Sequence, residues 1–193
     1  MIAGLLLAAG AGTRFGGPKA LVPYRGELLV HRGRRLLSEG GCDPVVVVLG
    51  AQAEQVMALA DLPDCALALD WETGMGASLR AGLVGLARRD VTACVVALAD
   101  QPLVGPAAVV RLLEAHRAGA LAAVATYDGS QRNPVLLARS TWDAVAAAAV
   151  GDTGARPWLR AHPELVTEVP CDDTGSPFDV DTPDDLATME ASR

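Results

Sequence analysis

The sequence predicts a three-layer α/β domain, in which helices cover both faces of a mostly parallel sheet. Short apolar runs alternate with longer segments whose apolar residues recur at helical spacing, and this alternation is typical of βαβ units. The apolar runs are nearly continuous, as in parallel strands that are buried on both faces. We therefore expect a Rossmann-like sheet whose strands are joined by right-handed crossovers.

The length and composition fit one globular domain over residues 1–193. A chain of this length buries roughly 70% of its unfolded surface, and a content of 51% hydrophobic and 20% charged residues excludes wholesale disorder. Acidic residues outnumber basic ones by 23 to 16, for a net charge of −7. Proteins that follow a nucleic-acid backbone need the opposite balance, and no apolar run reaches the roughly 20 residues of a membrane helix. Nucleic acids and membranes are therefore not expected partners.

The cysteines and the N-terminal run bear on location. The four cysteines lie far apart without a Cys-x-x-Cys pair, which favours small buried hydrophobes in a reduced protein. The N-terminal apolar run has no charged leader and continues into a glycine-rich loop, so it is predicted as a first strand and not as a signal peptide. The predicted location is the cytoplasm.

The predicted elements follow the alternation of apolar runs and helical segments. Strands are predicted at 2–8, 44–50, 65–70, 91–99 and 121–127, and helices at 27–40, 51–60, 76–89 and 105–119. The less regular C-terminal third predicts strands at 133–138, 164–170 and 177–180, and helices at 140–150, 154–161 and 181–191. The last helix has clear start signals, with Thr182 as its N-cap and Pro183 at its first position.

A glycine-rich loop follows the first predicted strand, where ligands bind in open α/β sheets. It matches neither of two familiar phosphate-binding loops. The dinucleotide fingerprint G-x-G-x-x-G would need glycine where Phe15 stands, and the P-loop pattern fails at Pro18. The loop is therefore a phosphate-binding candidate of another kind.

Two cations accompany the small residues of this loop. Gly10 and Gly12 would let backbone N–H groups approach a triphosphate. Arg14 and Lys19, which is the only lysine of the chain, would supply positive charge beside it. A tight glycine turn with solvated cations is the alternative interpretation.

Aspartates at two places could hold a hard cation such as Mg²⁺. Asp100 follows the apolar run 91–99. In a fold of this kind the strand formed by that run lies beside the first strand, so Asp100 would face the glycine loop. Asp179 and Asp181 are two residues apart, so on an extended backbone both would point to the same side. The alternatives are an N-cap or turn at Asp100, and a helix cap at Asp181 with Asp179 solvated.

Another segment could hold an anion. The sequence GDTGAR puts Asp152 and Arg156 around the start of a predicted helix. Free N–H groups and an arginine suit an anion such as an acceptor phosphate. Ordinary capping is the alternative.

These segments together resemble the MobA-like nucleotidyltransferases, which transfer a nucleotide from an NTP to a phosphorylated acceptor. The resemblance runs nearly end to end through LAAGAGTRFGGPK, WETGMGASLRAGL, LADQPLV, RNPVLL, GDTGAR and DVDTPDDL. Ala8-Ala9-Gly10 resembles the cytidylyl-type version of the loop, since guanylyl-type relatives usually have a second glycine where Ala9 stands. The molybdenum cofactor cytidylyltransferases resemble the chain most closely, which implies a glycosyltransferase-A type of fold.

The resemblance also implies the roles of individual residues. Arg14, Lys19 and Asp100 would be catalytic, and Asp100, Asp181 and Asp179 would bind Mg²⁺. The acceptor would contact Asn133, Asp152 and Arg156. Residues expected to bind the nucleotide are Leu7, Ala8, Ala9, Gly10, Gly12, Arg14, Lys19, Asp70, Gly74 and Ser78, although a structural turn is the alternative for the segment after Asp70.

The implied reaction is the Mg²⁺-dependent transfer of CMP from CTP to molybdopterin, with release of pyrophosphate. A molybdenum hydroxylase would receive the product. Three alternatives stay open. They are guanylyl transfer to the same acceptor, an NAD(P)H-dependent oxidoreductase of the nicotine-blue reductase type, and a non-catalytic chaperone for the cofactor.

Overall fold

The computed structural model describes residues 1–191 and has the predicted three-layer α/β architecture. In chain order its elements are β1 (Ile2–Leu7), β2 (Pro23–Tyr24), β3 (Glu27–Leu28), α1 (Leu29–Glu39), β4 (Val45–Leu49), α2 (Ala53–Ala60), β5 (Cys65–Leu67), α3 (Met75–Ala87), β6 (Ala93–Leu98), α4 (Pro106–Arg117), β7 (Ala122–Tyr127), β8 (Ser130–Ala138), α5 (Trp142–Ala148), α6 (Arg156–Ala161), β9 (Val166–Pro170) and α7 (Pro183–Ala191). Short 3₁₀ turns lie between several of them.

Seven strands form one sheet in the order β5-β4-β1-β6-β8-β7-β9, and β2 pairs with β3 in a separate hairpin. The strand β1 lies between β4 and β6 and is parallel to both. The strand β8 is antiparallel to its neighbours β6 and β7, whereas β9 is parallel to β7. The sheet is therefore mostly parallel, as predicted.

Two apolar cores confirm the three layers. Alternate residues of β1 face opposite sides, so that Leu6 packs with α1, α2 and α4, and Leu5 packs with α3, α5 and α6. Glycines allow the helices to approach the sheet closely. A Cβ at Gly33 would lie 2.5 Å from Leu6 Cδ1, and one at Gly82 would lie 2.6 Å from Leu5 Cδ1. Among residues 1–191 no helix is both long and apolar enough to cross a membrane.

Apart from shifts at element ends, the structure differs from the predicted elements in three places. Residues 27–28, predicted as the start of a helix, form β3, which pairs with β2. The strand β8 begins at Ser130, before the predicted start, because Asp128 and Gly129 form a two-residue hairpin turn with φ of 49° and 68°. The prediction of a strand at 177–180 is wrong. Individual hydrogen bonds, including Val180 N to Asp100 O at 2.8 Å, tie this segment to the loop after β6 without forming a ladder.

Candidate active site

The glycine loop leaves the carboxyl end of β1 and doubles back sharply. Gly12 has a φ of +58°, and a Cβ there would collide with the carbonyl oxygen of Gly17. This turn requires glycine at residue 12, whereas Gly16, at a φ of +75°, has open space around it. The chain then enters a 3₁₀ turn that begins at Lys19.

Asp100 lies next to this loop because β6 is the parallel neighbour of β1. Leu7 pairs with Leu98, and Ala99 N donates to Leu7 O at 3.1 Å. The carboxyl ends of the two strands therefore meet at one edge of the sheet, as the sequence predicted. The Asp100 side chain is about a quarter exposed, at 26%.

Lys19 joins Asp100 to the C-terminal segment. Its Nζ donates to Asp100 Oδ2 at 3.0 Å and to Asp181 Oδ1 at 2.6 Å. Burial opposes the charged form of Lys19, but the two carboxylates outweigh it and the pKa of Lys19 is raised above its ordinary value. Two carboxylates from distant parts of the chain thus converge on one cation.

Asp179 and Asp181 are both exposed, while the intervening Val180 is fully buried in the small core beside α7. Gln101 Nε2 donates to Asp179 Oδ1 at 2.8 Å and to Pro177 O at 3.1 Å. The residue as a whole is exposed, yet its carboxyl group is partly desolvated. This desolvation, with the nearby charge of Asp100 and Asp181, raises the pKa of Asp179.

The three aspartates predicted to bind Mg²⁺ are not grouped as bare ligands in this structure. Within the described 191 residues, no group of three or more His, Cys, Asp or Glu side chains is arranged to hold a metal. The reason is local: Lys19 lies between Asp100 and Asp181, and Gln101 holds the Asp179 carboxylate. The lysine therefore relieves the mutual repulsion that closely spaced carboxylates would otherwise have.

Two carboxylates still fit a divalent cation. Asp100 and Asp181 present oxygen atoms to a single cation position, which the lysine ammonium now takes. Mg²⁺ is commonly held by one or two carboxylates together with substrate phosphates and water, and not by a complete protein cage. The donor set therefore suits a metal that arrives with a phosphorylated ligand.

Asp181 does not cap α7. Thr182 Oγ1 accepts from Asp185 N at 3.2 Å, and Asp185 Oδ2 accepts from Thr182 N at 2.8 Å. This reciprocal pair confirms Thr182 as the N-cap. Asp185 Oδ2 also accepts from Asp181 N at 3.0 Å, which leaves the Asp181 carboxylate available to Lys19.

A cleft of about 330 Å³ opens above the carboxyl ends of β1 and β6. Its lining contains many residues that the sequence predicted for nucleotide or metal binding: Leu7, Ala8, Ala9, Gly10, Lys19, Gly74, Ser78 and Asp100. Asp152, predicted for the acceptor, also lines it, and its Oδ1 accepts from Met75 N at 3.2 Å at the start of α3. Segments far apart in sequence thus share one cavity.

Sequence reasoning missed Trp71 and Glu72, which line the same cleft. A Cβ at Gly50 would lie 2.5 Å from Trp71 Cβ, so the indole packs directly on the residue that follows β4. The glycine at residue 50, immediately after an apolar strand, is the signal that could have indicated a close side chain. Trp71 therefore forms the wall of the cleft on the β4 side.

Some predicted nucleotide-binding residues lie outside the cleft. Asp70 is exposed and accepts from Arg80 Nη2 at 3.1 Å. Arg14 is exposed on the glycine loop, and Gly12 shapes the loop without lining the cavity. Asp179 and Asp181 do not line the cleft either, although Asp181 contacts its lining residue Lys19.

A second cavity adjoins the first and shares Leu7, Met75 and Leu98 with it. Its interior is largely apolar. Asn133 and Arg156, both predicted for the acceptor, lie on its wall together with Arg132. Arg156 begins α6, which has only six residues.

Comparison with known proteins identifies relatives along most of the chain. One family model, described as the MobA-like NTP transferase domain, matches residues 4–166. The chain is 42% identical over 190 residues to the nicotine blue oxidoreductase of Paenarthrobacter nicotinovorans, covering 94% of this chain and 92% of that protein. It is 35% identical over 129 residues to the probable molybdenum cofactor guanylyltransferase of Opitutus terrae, covering 66% of this chain and 62% of that protein.

Solved structures show the same fold. The crystal structure of Rv0371c from Mycobacterium tuberculosis H37Rv superposes with a TM-score of 0.84 at 31% identity, covering 99% of this chain and 98% of that one. A structure of the same protein in complex with manganese gives a TM-score of 0.81 at 31% identity, covering 100% and 99% of the two chains.

Proposed function

We propose that this chain, which belongs to the MobA-like NTP transferase family, moves CMP from CTP to a phosphorylated acceptor in a metal-dependent reaction that releases pyrophosphate. One observation carries the proposal. Lys19 Nζ lies 3.0 Å from Asp100 Oδ2 and 2.6 Å from Asp181 Oδ1, beside a cleft lined by the glycine loop. A cation and paired carboxylates next to a small-residue loop suit a metal–triphosphate complex.

The proposed roles follow from position and charge. The backbone around Gly10 and Gly12, with Lys19 and Arg14, would hold the triphosphate. Asp100 and Asp181 would bind Mg²⁺ together with phosphate oxygens, and Asp179 would assist from beside them. The manganese complex of the relative Rv0371c supports a divalent metal.

The reaction itself demands positioning more than proton transfer. An acceptor phosphate oxygen bonds to the α-phosphorus while the bond to the bridging oxygen of the leaving pyrophosphate breaks. A phosphate monoester is already ionised near neutral pH, so no side chain is needed as a general base. Lys19 and Arg14 would stabilise charge on the departing pyrophosphate. The bound metal would neutralise further charge on the triphosphate.

Trp71 and Glu72 support a place for the base. Trp71 packs on Gly50 after β4, whereas Asp100 follows β6, two strands away. Two strand spacings are roughly 10 Å, which suits a nucleotide with its base at the indole and its phosphates at the glycine loop. The exposed Glu72 carboxylate would accept from the amino group of cytosine and repel the O4 of uracil.

The acceptor would use the second cavity. Its accessible volume is only about 50 Å³, so a phosphate-bearing ring system such as molybdopterin would enter it in part, with its phosphate near the arginines at the wall. Asn133, Arg156 and Asp152 are the proposed contacts. The probable molybdenum cofactor guanylyltransferase among the relatives supports an acceptor of this class. A molybdenum hydroxylase is the proposed recipient of the product.

Release of pyrophosphate from each of the four NTPs tests the proposal, with Mg²⁺ and with and without molybdopterin. We expect release to require the metal and the acceptor and to be fastest with CTP. Fastest release with GTP would overturn the cytidylyl assignment and leave the reaction class intact. No release with any NTP would contradict the reaction class.

Glu72→Gln tests the base subsite within the same assay. An amide can donate as well as accept, so we expect the preference for CTP over UTP to shrink by about tenfold. Glu54→Gln is the matched control, because Glu54 is an exposed carboxylate on α2 outside the cleft. An unchanged CTP-to-UTP ratio in the Glu72 variant would remove this residue from base selection.

A nicotinamide-dependent oxidoreductase is the second candidate, and one observation favours it. The chain is 42% identical to nicotine blue oxidoreductase across 94% of its length. Phe15, at the place of the third glycine of the dinucleotide fingerprint, argues against a standard dinucleotide loop. Oxidation of NADPH by nicotine blue in the presence of the purified protein would establish this activity.

A further inference from the structure

Lys19 takes the position that a metal would need. Its Nζ lies within 3.0 Å of oxygen atoms from both Asp100 and Asp181. Its side chain is 21% exposed, so the ammonium is held between the carboxylates and is not simply solvated at the surface. A divalent ion entering the same position would meet a positive charge at very short range.

The charges around the ammonium explain why it stays there. Asp100 and Asp181 contact it, and the charges of Asp179 and Asp185 also act on it. Two carboxylates therefore hold the lysine directly, and two more add negative charge nearby. Removing that lysine would leave the carboxylates without their nearest cation.

The same lysine lines the cleft beside Gly10. A triphosphate bound along the glycine loop would offer its oxygens to Lys19, and several negative charges would compete with the two aspartates for one flexible ammonium. If Lys19 turned toward the phosphates, both aspartate oxygens would become available. The phosphates would also complete the coordination of the metal.

We propose that Lys19 is the resident counterion of Asp100 and Asp181, and that it yields this position to a divalent metal when nucleotide phosphates bind its ammonium group. This inference rests on the proposed function. Metal and nucleotide then bind as a coupled pair, each strengthening the other by the same factor. Metal alone binds weakly, because it must displace the lysine and shed water without any phosphate in return.

The test is the affinity for Mn²⁺ alone, measured by the loss of the free-ion EPR signal. A lysine that only contacts phosphate would leave this affinity unchanged when it is removed. We expect Lys19→Met to bind Mn²⁺ more tightly than the wild type, within the about 5- to 150-fold range of typical coupling between sites. Lys19→Met combined with Asp181→Asn should lose the gain, which locates the ion.

Arg14→Met is the matched control, since it removes one positive charge from the same loop without touching either aspartate. An equal gain in the Arg14 variant would overturn the inference, because general charge would then explain the effect. No gain in Lys19→Met would overturn it as well. Lys19→Gln serves as a second variant at the same position. If the two Lys19 variants have a lower Tm than the wild type, Mn²⁺ alone should raise their Tm by more than it raises the Tm of the wild type.

The coupling has its own readout. In the wild type, Mn²⁺ and CTP together should raise the Tm by more than the sum of their separate effects. In Lys19→Met this excess should be smaller, because only the phosphate ligands of the metal still couple the two. Pyrophosphate release by the wild type is measured in parallel. If the wild type is active but Lys19→Met gains no affinity for Mn²⁺, only the exchange of Lys19 for metal is contradicted. If the wild type is inactive, the proposed function is contradicted.

Discussion

Asp100 links the parts of the candidate site at the scale of single residues. It contacts Lys19 directly, its main-chain oxygen accepts from Val180 N at 2.8 Å, and its charge acts on Asp179. We expect Asp100→Asn to reduce pyrophosphate release by about a hundredfold or more, because the amide keeps the shape and loses the charge that binds metal.

The metal dependence of this variant is the sharper measurement. Asp64→Asn is the control, because Asp64 pairs with Arg89 outside the cleft and should affect turnover little. Full activity of Asp100→Asn at low Mg²⁺ would show that Asp100 is not a metal ligand.

Asp179 gives a prediction for pH. Its raised pKa means that the folded state binds a proton over a pH range in which the unfolded chain has already lost it. The free energy of unfolding therefore falls as the pH rises from the ordinary pKa through the raised one. Asp179→Asn removes this loss and keeps an oxygen acceptor for Gln101.

Without metal, Asp179→Asn should consequently have a higher Tm than the wild type at pH 7. This difference in Tm should vanish below a pH of about 4. Melting curves in EDTA across this range provide the measurement. A lower Tm at pH 7 with the same pH dependence as the wild type would mean that Asp179 stabilises the fold instead.

At the scale of elements, the sheet was predictable where apolar residues dominate. The buried strands β1, β4 and β6 are nearly continuous apolar runs, which few other structures accommodate. The first part of β8 is polar and exposed, so its apolar pattern gave no strand signal. The Asp-Gly pair at 128–129 is the sequence feature that could have indicated a hairpin there. The segment 177–180 is apolar enough for a strand but has no ladder partner.

The glycine loop allows a prediction at this scale. Gly12→Ala would force a Cβ against the carbonyl oxygen of Gly17, so the loop must move and nucleotide affinity should fall by about tenfold or more. Gly16→Ala also carries a positive φ but meets open space, so it should weaken binding much less. Equilibrium binding of Mg–CTP to both variants, with circular dichroism as the folding control, gives the comparison. Equal losses would mean that backbone strain, and not the close approach, matters.

For the whole molecule, the sequence predicted which residues lie together at the cleft better than it predicted their contacts. Asp100 was placed beside the glycine loop by strand order alone, since β1 and β6 are neighbours. The Lys19 contact with Asp181 joins residues 162 positions apart, and nothing in the sequence reports such a distance. Trp71 lines the cleft, and the predicted Asp70 does not, because the chain turns in a 3₁₀ helix immediately after Asp70.

The most direct test of the central claim is the Tm of the wild type with Mg–CTP and with NADPH, measured on the same preparation. A ligand that binds only the folded state adds about 2.7 kcal/mol of stability at a hundred times its Kd. We predict a clear rise in Tm with Mg–CTP, a smaller one with CTP in EDTA, and none with NADPH. A rise with NADPH and none with any Mg–NTP would contradict the assignment of this cleft to a metal–triphosphate.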